Sequence, residues 1–191
     1  MNVYDFDNTI LRGDSSARFF GWCLSRCPRM WLDLPGQAWN GLLYVLRLRP
    51  KQAAKERMFR YLRFIDVDRE LKAFWQANLP RVKTFYRAAH RADDVVISAS
   101  PEFLVRPACA ALGIERVLGS PVDKHTGLYH GVNCHGAEKV RRFRQAWPDG
   151  EIDDFYSDSL SDTPLANIAR RAWLVRGEAL MPWPNREKSM K

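Results

Sequence analysis

Hydrophobic and polar positions change period repeatedly along this chain, and each change predicts an element. Val3-Tyr4-Asp5-Phe6-Asp7-Asn8-Thr9-Ile10 puts two carboxylates one residue apart at the end of an apolar run, which predicts a strand beginning at about residue 2 and ending in a carboxylate-bearing loop. Gly13 permits a turn, and Asp14, Ser15 or Ser16 caps a helix running through Ala17 to Leu24. Met30 to Leu48 is rich in Trp and Leu, yet its longest uncharged run, Leu34 to Leu46, is 13 residues and contains Pro35, Gln37 and Asn40. A membrane span needs about 20 apolar residues, so this stretch does not cross a bilayer. Two readings stay open: the plainer is a helix that buries its apolar face, and the other is a helix lying on a membrane surface. In the second, Trp31 and Trp39 are anchors, and Arg26, Arg29, Arg47 and Arg49 face anionic headgroups.

From Pro50 to Arg91 the pattern is that of amphipathic helices, with Met58, Tyr61, Leu62 and Ile65 at helical spacing and Arg57, Arg60 and Arg63 between them. At Asp94 the period changes again. Val95-Val96-Ile97 is a short apolar run that predicts a buried parallel strand. A helix follows, with Ser100 as its N-cap and Pro101 at its first position, and Pro107 should kink or shorten it. Arg116 to Val132 reads as a β-hairpin, with turn residues at Thr126-Gly127 and His130-Gly131. A helix begins near Gly136 and carries Lys139 close to its start. Ile152 onward is a strand ending in Asp158, with Asp162 four residues later; Ala172 to Arg176 is a final strand, and Trp183 to Lys191 a loose tail.

Composition narrows the class. The 191 residues are 46% hydrophobic, enough for a folded core, and carry a net charge of +8. The charge is localised: residues 15–87 hold 15 Lys and Arg against 5 Asp and Glu, while the rest holds 15 against 17. An acidic partner is implied, such as a phosphate or an anionic membrane surface. No nucleic-acid motif accompanies the basic residues, and no nucleic-acid partner is expected. Four cysteines without a Cys-x-x-Cys pair, and a first strand too early to follow a leader, predict a reduced, cytoplasmic protein. Cys23 and Cys27 read as buried thiols on one helical face, and His125, His130 and His135 fit neither helical nor strand spacing.

The candidate chemistry lies at strand ends. In an extended segment Asp5 and Asp7 would share one face, and burying two like charges there requires a cation or a proton between them. Ser98 to Ser100 form a strand-to-helix turn, where hydroxyls and free N–H groups hold anions. Asp158 is again an acid at a strand's carboxyl end, the ligand-binding edge of an open parallel sheet.

Taken in order, Asp5-x-Asp7-x-Thr9, Ser98 after an apolar strand, Lys139, and Asp158-x-x-x-Asp162 resemble the motifs of the haloacid dehalogenase-like superfamily. The similarity is to subfamily IB, the branch of phosphoserine phosphatase, and it covers the whole chain. The resemblance implies an α/β fold: a doubly wound parallel, Rossmann-like sheet formed by residues 1–14 and 88–191, with an inserted helical cap at 15–87. It also implies a phosphomonoesterase. Asp5 would be the nucleophile that forms an aspartyl-phosphate, and Asp7 the acid and then the base. Mg²⁺ would be held by Asp5, the Asp7 carbonyl and Asp158. Lys139 would supply a second positive charge, Ser98 and Ala99 would bind the substrate phosphate, Asp162 would orient the metal shell, and Thr9 would position Asp7. The acid at Asp7 is absent from the dehalogenase branch, which argues against that chemistry.

Departures leave the substrate open. Asn8 follows the second Asp where Gly or Ser is common, and Ser161 stands where many relatives have Asn. Ser98-Ala99-Ser100 replaces Ser-Gly-Gly, and Asp14 stands where phosphoserine phosphatases carry a Glu that receives the substrate ammonium. Helix capping is an equal use for Asp14. The expected substrate is a small soluble phosphate ester. The chain is also similar to membrane-associated phosphatidylglycerophosphatases around Ser98-x-Ser100-Pro101, His135-Gly136-x-Glu138-Lys139 and Tyr156-Ser157-Asp158-Ser159, so a lipid phosphate is the second candidate. A noncatalytic phosphate- or membrane-binding module is the third.

Overall fold

In the computed structural model, which describes residues 1–184, β1 (Val3–Tyr4) is the centre of a six-stranded sheet. The strands β2 (Val95–Pro101), β3 (Arg116–Ser120), β4 (Ile152–Ser157), β5 (Ala169–Arg176) and β6 (Ala179–Pro182) complete it in the order β3-β2-β1-β4-β5-β6. The first five are mutually parallel, and β6 returns antiparallel to β5. This is the doubly wound α/β arrangement expected. Strand order reverses at β1, which places the crevice of the open sheet at the carboxyl ends of β1, β2 and β4.

Alternate residues of the parallel strands feed two cores, because successive side chains leave a strand on opposite faces. Tyr4 and Val96 pack with α6 (Glu102–Ala111) on one face, while Val3, Val95 and Ile97 pack with Phe143 of α7 (Ala137–Ala146) and Leu165 of α8 (Thr163–Ile168) on the other. Between β1 and β2 the described chain is helical: α1 (Ser15–Arg26), α2 (Leu34–Val45), α3 (Lys51–Phe59), α4 (Val67–Asn78) and α5 (Thr84–Ala89), with 3₁₀ turns at Pro28–Asp33, Arg60–Phe64 and Leu79–Arg81. Phe19 of α1, Tyr61 and Leu62 of the second 3₁₀ turn, and Phe74 and Trp75 of α4 join the same cluster as Tyr4 and Phe6. Trp75 Nε1 donates to the Leu104 carbonyl of α6 at 2.8 Å, tying α4 to the sheet layer.

Several expectations need correction. Helical spacing across Met58 to Ile65 is not one helix: α3 ends at Phe59, a 3₁₀ turn buries Tyr61 and Leu62, and Asp66 caps α4 by accepting the Arg69 N–H at 3.2 Å. α2 does not bury an apolar face; it buries Asn40 and exposes Trp39, Leu42 and Val45. Ser100 is not a helix cap, since β2 runs through Pro101 and Pro101 itself stands at the N-cap of α6; Pro107 lies inside that helix. Cys27 is the C-cap of α1 and is only half-buried, unlike Cys23.

The hairpin expected at Arg116–Val132 is a parallel strand, β3, followed by a loop closed by a single antiparallel bridge between Val122 and Tyr129. β3 lies close against α6 at Gly119, where a side chain would collide with Glu102. The loop tip at Gly127 (φ +77°) sits under α3, where a Cβ would stand 2.6 Å from the Phe59 carbonyl oxygen. β6 was not expected; the signal was Gly177, which turns the chain at φ +61°. Trp183 is no loose residue: it is buried against Phe155, with ring centroids 5.7 Å apart. The rest of the expected tail, 185–191, lies outside the described residues.

Candidate active site

The chain leaves β1 at Asp5, whose N–H donates to the Tyr156 carbonyl at 2.9 Å, and turns at once: Ile10 N–H and Leu11 N–H both donate to the Phe6 carbonyl, at 2.9 and 3.0 Å. Asn8 takes up the left-handed conformation (φ +55°) that this turn demands, one that Asn tolerates better than most side chains. The two carboxylates on either side of Phe6 have different hydrogen-bond partners, while the Asp7 charge still acts on Asp5.

Asp5 lies beside a buried cation. Lys139, in the first turn of α7, donates at 2.7 Å to Asp5 Oδ1 and at 2.7 Å to Asp162 Oδ2, and is itself only 1% exposed. The dipole of α7 disfavours a lysine at this position, and the two carboxylates compensate. Ser157 Oγ donates to the same Asp162 oxygen at 2.8 Å. Burial works against the Lys139 charge, but Asp5 and Asp162 outweigh it and hold the ammonium protonated. For Asp5, burial pushes the carboxyl well above its usual range; Lys139 pulls it back and the Asp162 charge pushes it further up.

Asp7 sits in a nest of serines. Its Oδ1 accepts the Ser15 N–H at 2.7 Å, its Oδ2 accepts the Ser100 hydroxyl, and Ser16 Oγ lies 3.0 Å from Ser100 Oγ. Burial, helped by the Asp14 charge, raises its pKa to about 6 against the opposing pull of Ser100 and Ser15. Asp14 caps α1, accepting the Ala17 N–H at 2.8 Å. Ser98 is buried on β2 and its Oγ accepts the Ser100 N–H at 3.1 Å, an arrangement that leaves its own O–H as the donor.

Thr9 was expected to position Asp7; it stands instead between two other segments. Its hydroxyl accepts the Asp158 N–H at 2.9 Å and lies 3.5 Å from Asp5 Oδ2, so the loops after β1 and β4 meet at one oxygen. Burial and the charge of Asp162 raise the pKa of Asp158, and Asp162 Oδ1 is buried without a hydrogen-bond partner. Asp162 was expected to orient the metal shell, and in the structure it shares the Lys139 ammonium with Asp5. Among the described residues no three His, Cys, Asp or Glu side chains group as a metal cluster. The expected ligand set is compatible with that, because it uses only two carboxylates and a backbone carbonyl. Crowded oxygen donors, an excess of carboxylates over Lys139 and an orphaned buried oxygen suit a hard divalent cation.

A further layer comes from α3. Lys55 Nζ donates to the Ala99 carbonyl at 3.0 Å and to Asn133 Oδ1 at 3.2 Å, and Ser120 Oγ lies 2.9 Å from the same Ala99 carbonyl. Burial and the neighbouring Lys51 lower Lys55 to about 8. Lys51, one turn earlier, is shifted down by burial and feels the Asp162 charge. Lys83 donates to the Asn8 carbonyl beneath the first loop. Ser100, Ser15, Ser16, Lys55 and Asn133 were not picked out as site residues. The spacing of Lys51 and Lys55, one helical turn apart on a single face, was the available signal.

Comparison with known proteins places this geometry. The family model for haloacid dehalogenase-like hydrolases matches residues 3–167. Protein CicA of Caulobacter vibrioides is 26% identical over 194 residues, covering 87% of this chain and 82% of its own. A histidinol-phosphatase of Neisseria meningitidis is 29% identical over 108 residues, covering 50% of this chain and 49% of its own. Among solved structures, a protein of unknown function from Bordetella pertussis superposes with a TM-score of 0.74 at 19% identity, covering 90% of this chain and 87% of that one.

Proposed function

The chain belongs to the haloacid dehalogenase-like hydrolase family and is a phosphatase, and from that premise we propose that it is a Mg²⁺-dependent phosphomonoesterase of the phosphoserine phosphatase-like branch, working through an aspartyl-phosphate on Asp5. Residues 15–87 act as its cap, residues 1–14 and 88–191 as its catalytic core, and a small soluble phosphate ester as its substrate. The observation that carries the reading is the division of labour between the two carboxylates. Asp5 is held against the Lys139 ammonium at 2.7 Å, while Asp7 is held apart by Ser15 and Ser100 with a pKa near 6.

Phosphate monoesters hydrolyse very slowly in water, so catalysis consists mainly of neutralising charge and aligning an in-line attack. An Asp5 oxygen attacks phosphorus, the P–O bond to the alcohol breaks, and the departing alkoxide takes the proton of Asp7. Asp7, now a carboxylate, accepts a proton from water as that water attacks the aspartyl-phosphate, releasing inorganic phosphate and restoring Asp5. A carboxyl near 6 can both give and take a proton close to neutral pH. Lys139 neutralises Asp5 and the incoming phosphoryl oxygens, Ser98 donates its O–H to one of them, and the Ala99 segment closes the pocket beside it. Asp5, the Asp7 carbonyl and Asp158 would hold the Mg²⁺, which when bound offsets repulsion between carboxylate and phosphate. A cytoplasmic location, with all four cysteines as free thiols, belongs to the same proposal.

The test is phosphate release from phosphoserine, sugar phosphates and detergent-dispersed phosphatidylglycerophosphate, with Mg²⁺ and with chelator. Metal-dependent release from a soluble ester, abolished in Asp5→Asn while the fold survives, is expected. Turnover retained in that variant would remove Asp5 as nucleophile. Release confined to the lipid would replace the soluble ester as substrate, and no release from any ester would leave a phosphate-binding module.

A further inference from the structure

α2 is built inside out. Its polar residues point into the protein: Asn40 is only 5% exposed, its Nδ2 donates to the Ala54 carbonyl at 2.9 Å, and its Oδ1 accepts from Arg49 at 2.6 Å. Gln37, one turn earlier, donates to Asp33 Oδ2 at 2.7 Å and to the Arg57 carbonyl at 3.2 Å. The opposite stripe, at helical spacing, is apolar and faces outward, with Trp39 61%, Leu42 46% and Val45 75% exposed. Trp31 and Leu32 before the helix and Leu48 after it are exposed as well. A helix in water buries the apolar stripe and wets the polar one; reversal of that order calls for an apolar neighbour on the outside.

We propose that α2 and its flanks are a docking face for the surface of an anionic bilayer. Charge selects the occupant. Arg29 and Arg47, which flank α2 in the chain, form no salt bridge among the described residues, and residues 15–87 carry 15 basic side chains against 5 acidic ones. A second copy of the chain on this face would bring the same arginines against one another. A lipid surface accepts the apolar stripe and the arginines together, with indoles at headgroup level and guanidiniums on lipid phosphates. Arg47 ends α2 at φ +58°, where glycine is the usual residue, so a cation is retained there against backbone preference. No helix among the described residues is long and apolar enough to cross a membrane, so the contact is in-plane. α3 links this face to the catalytic loops, through Asn40 to Ala54 on one side and Lys55 to Ala99 on the other. The docking surface stands on these contacts and does not depend on the chemistry assigned to Asp5.

Flotation of the full chain with phosphatidylcholine vesicles, with and without phosphatidylglycerol, tests the proposal. The wild type should float with the anionic vesicles and be released by salt. Leu42→Glu/Val45→Glu, and separately Arg47→Glu, should lower partitioning about tenfold or more. Their thermal midpoints and Mg²⁺-dependent hydrolysis of p-nitrophenyl phosphate should stay at the wild-type level. Absence of wild-type flotation, or equal flotation of the double variant, overturns the proposal. So does a wild-type dimer in sedimentation analysis that the double variant dissociates, because the face then belongs to a second copy.

Discussion

Lys55 of α3 donates its Nζ to the carbonyl of Ala99, at 3.0 Å, and so joins the helical segment to the carboxyl-terminal part of β2. The carbonyl is one residue from Ser98 in the middle of the proposed phosphate site, and the ammonium is half-buried there. An anionic substrate entering between α3 and the carboxyl-terminal part of β2 would meet this charge and that of Lys51 before it met Lys139.

Lys55→Met should therefore raise KM for an anionic phosphate ester about tenfold, the worth of one charge-assisted hydrogen bond, with kcat within a factor of about two. The wild type should show the same loss with pH. Since Lys55 is lowered from 10.5 to about 8, its charge disappears as pH rises through 8, and KM should climb there in the wild type but not in the Met variant. The sign for stability is the reverse: a lysine depressed in the fold costs stability while charged, and that cost fades as pH rises from about 8 toward 10.5. Initial-rate kinetics and thermal unfolding between pH 7 and about 9 check both.

Ser100→Ala removes the hydroxyl that holds Asp7 and leaves the Ser15 N–H as its remaining partner. Misorienting a general acid and base should lower kcat by about ten- to a hundredfold with little change in KM. An unchanged kcat would mean that Ser100 serves packing alone.

Lys139→Met leaves Asp5 and Asp162 buried without their common cation. The variant should lose activity and about 3–5 kcal/mol of stability at neutral pH. Part of that stability should return on acidification, because a buried carboxylate deprived of its cation takes up a proton. Urea unfolding at two pH values, in chelator, measures it.

Gly119→Ala places a methyl group against the backbone of Glu102 at the start of α6. The strand or the helix must shift, at a cost of about 1–3 kcal/mol. Because Ala99 and Ser120 flank that contact, the variant should also weaken phosphate binding; calorimetry with inorganic phosphate reads this out.

The parts of the fold legible in the sequence were those in which one face of an element decides its position. Val95-Val96-Ile97 is buried throughout, so its apolar run reads directly as a strand. Asp5, Ser98 and Asp158 read as strand-end residues from the local pattern, whereas Lys139 entered only through the order of the motifs along the chain. Illegible were contacts between elements distant in sequence. Ser100 resembled a helix cap because its local context is that of one, while its partner, Asp7, lies 93 residues away. Of the two readings open for α2 the buried one failed, because an apolar stripe signals which residues share a face but not which side that face meets. Lys139 would have been placed in solvent by local electrostatics, and only two carboxylates from other loops reverse that.

Phe19, Tyr61 and Phe74 of the helical segment pack in one cluster with Tyr4 and Phe6 at the foot of the loop after β1, and α3 joins that cluster only at its last residues, Met58 and Phe59, whereas α2 and the first turns of α3 lean on polar bonds at its outer side. The segment is thus an inner unit, α1 and α4, with an outer one, α2 and the first turns of α3, inserted between them in the chain. Amide exchange should find α1 and α4 protected to nearly the same degree as β1 and β2, and α2 and the first turns of α3 opening at lower free energy. Motion that admits a substrate would then belong to the outer pair alone, leaving the floor beneath Asp5 rigid while the roof above Ala99 breathes.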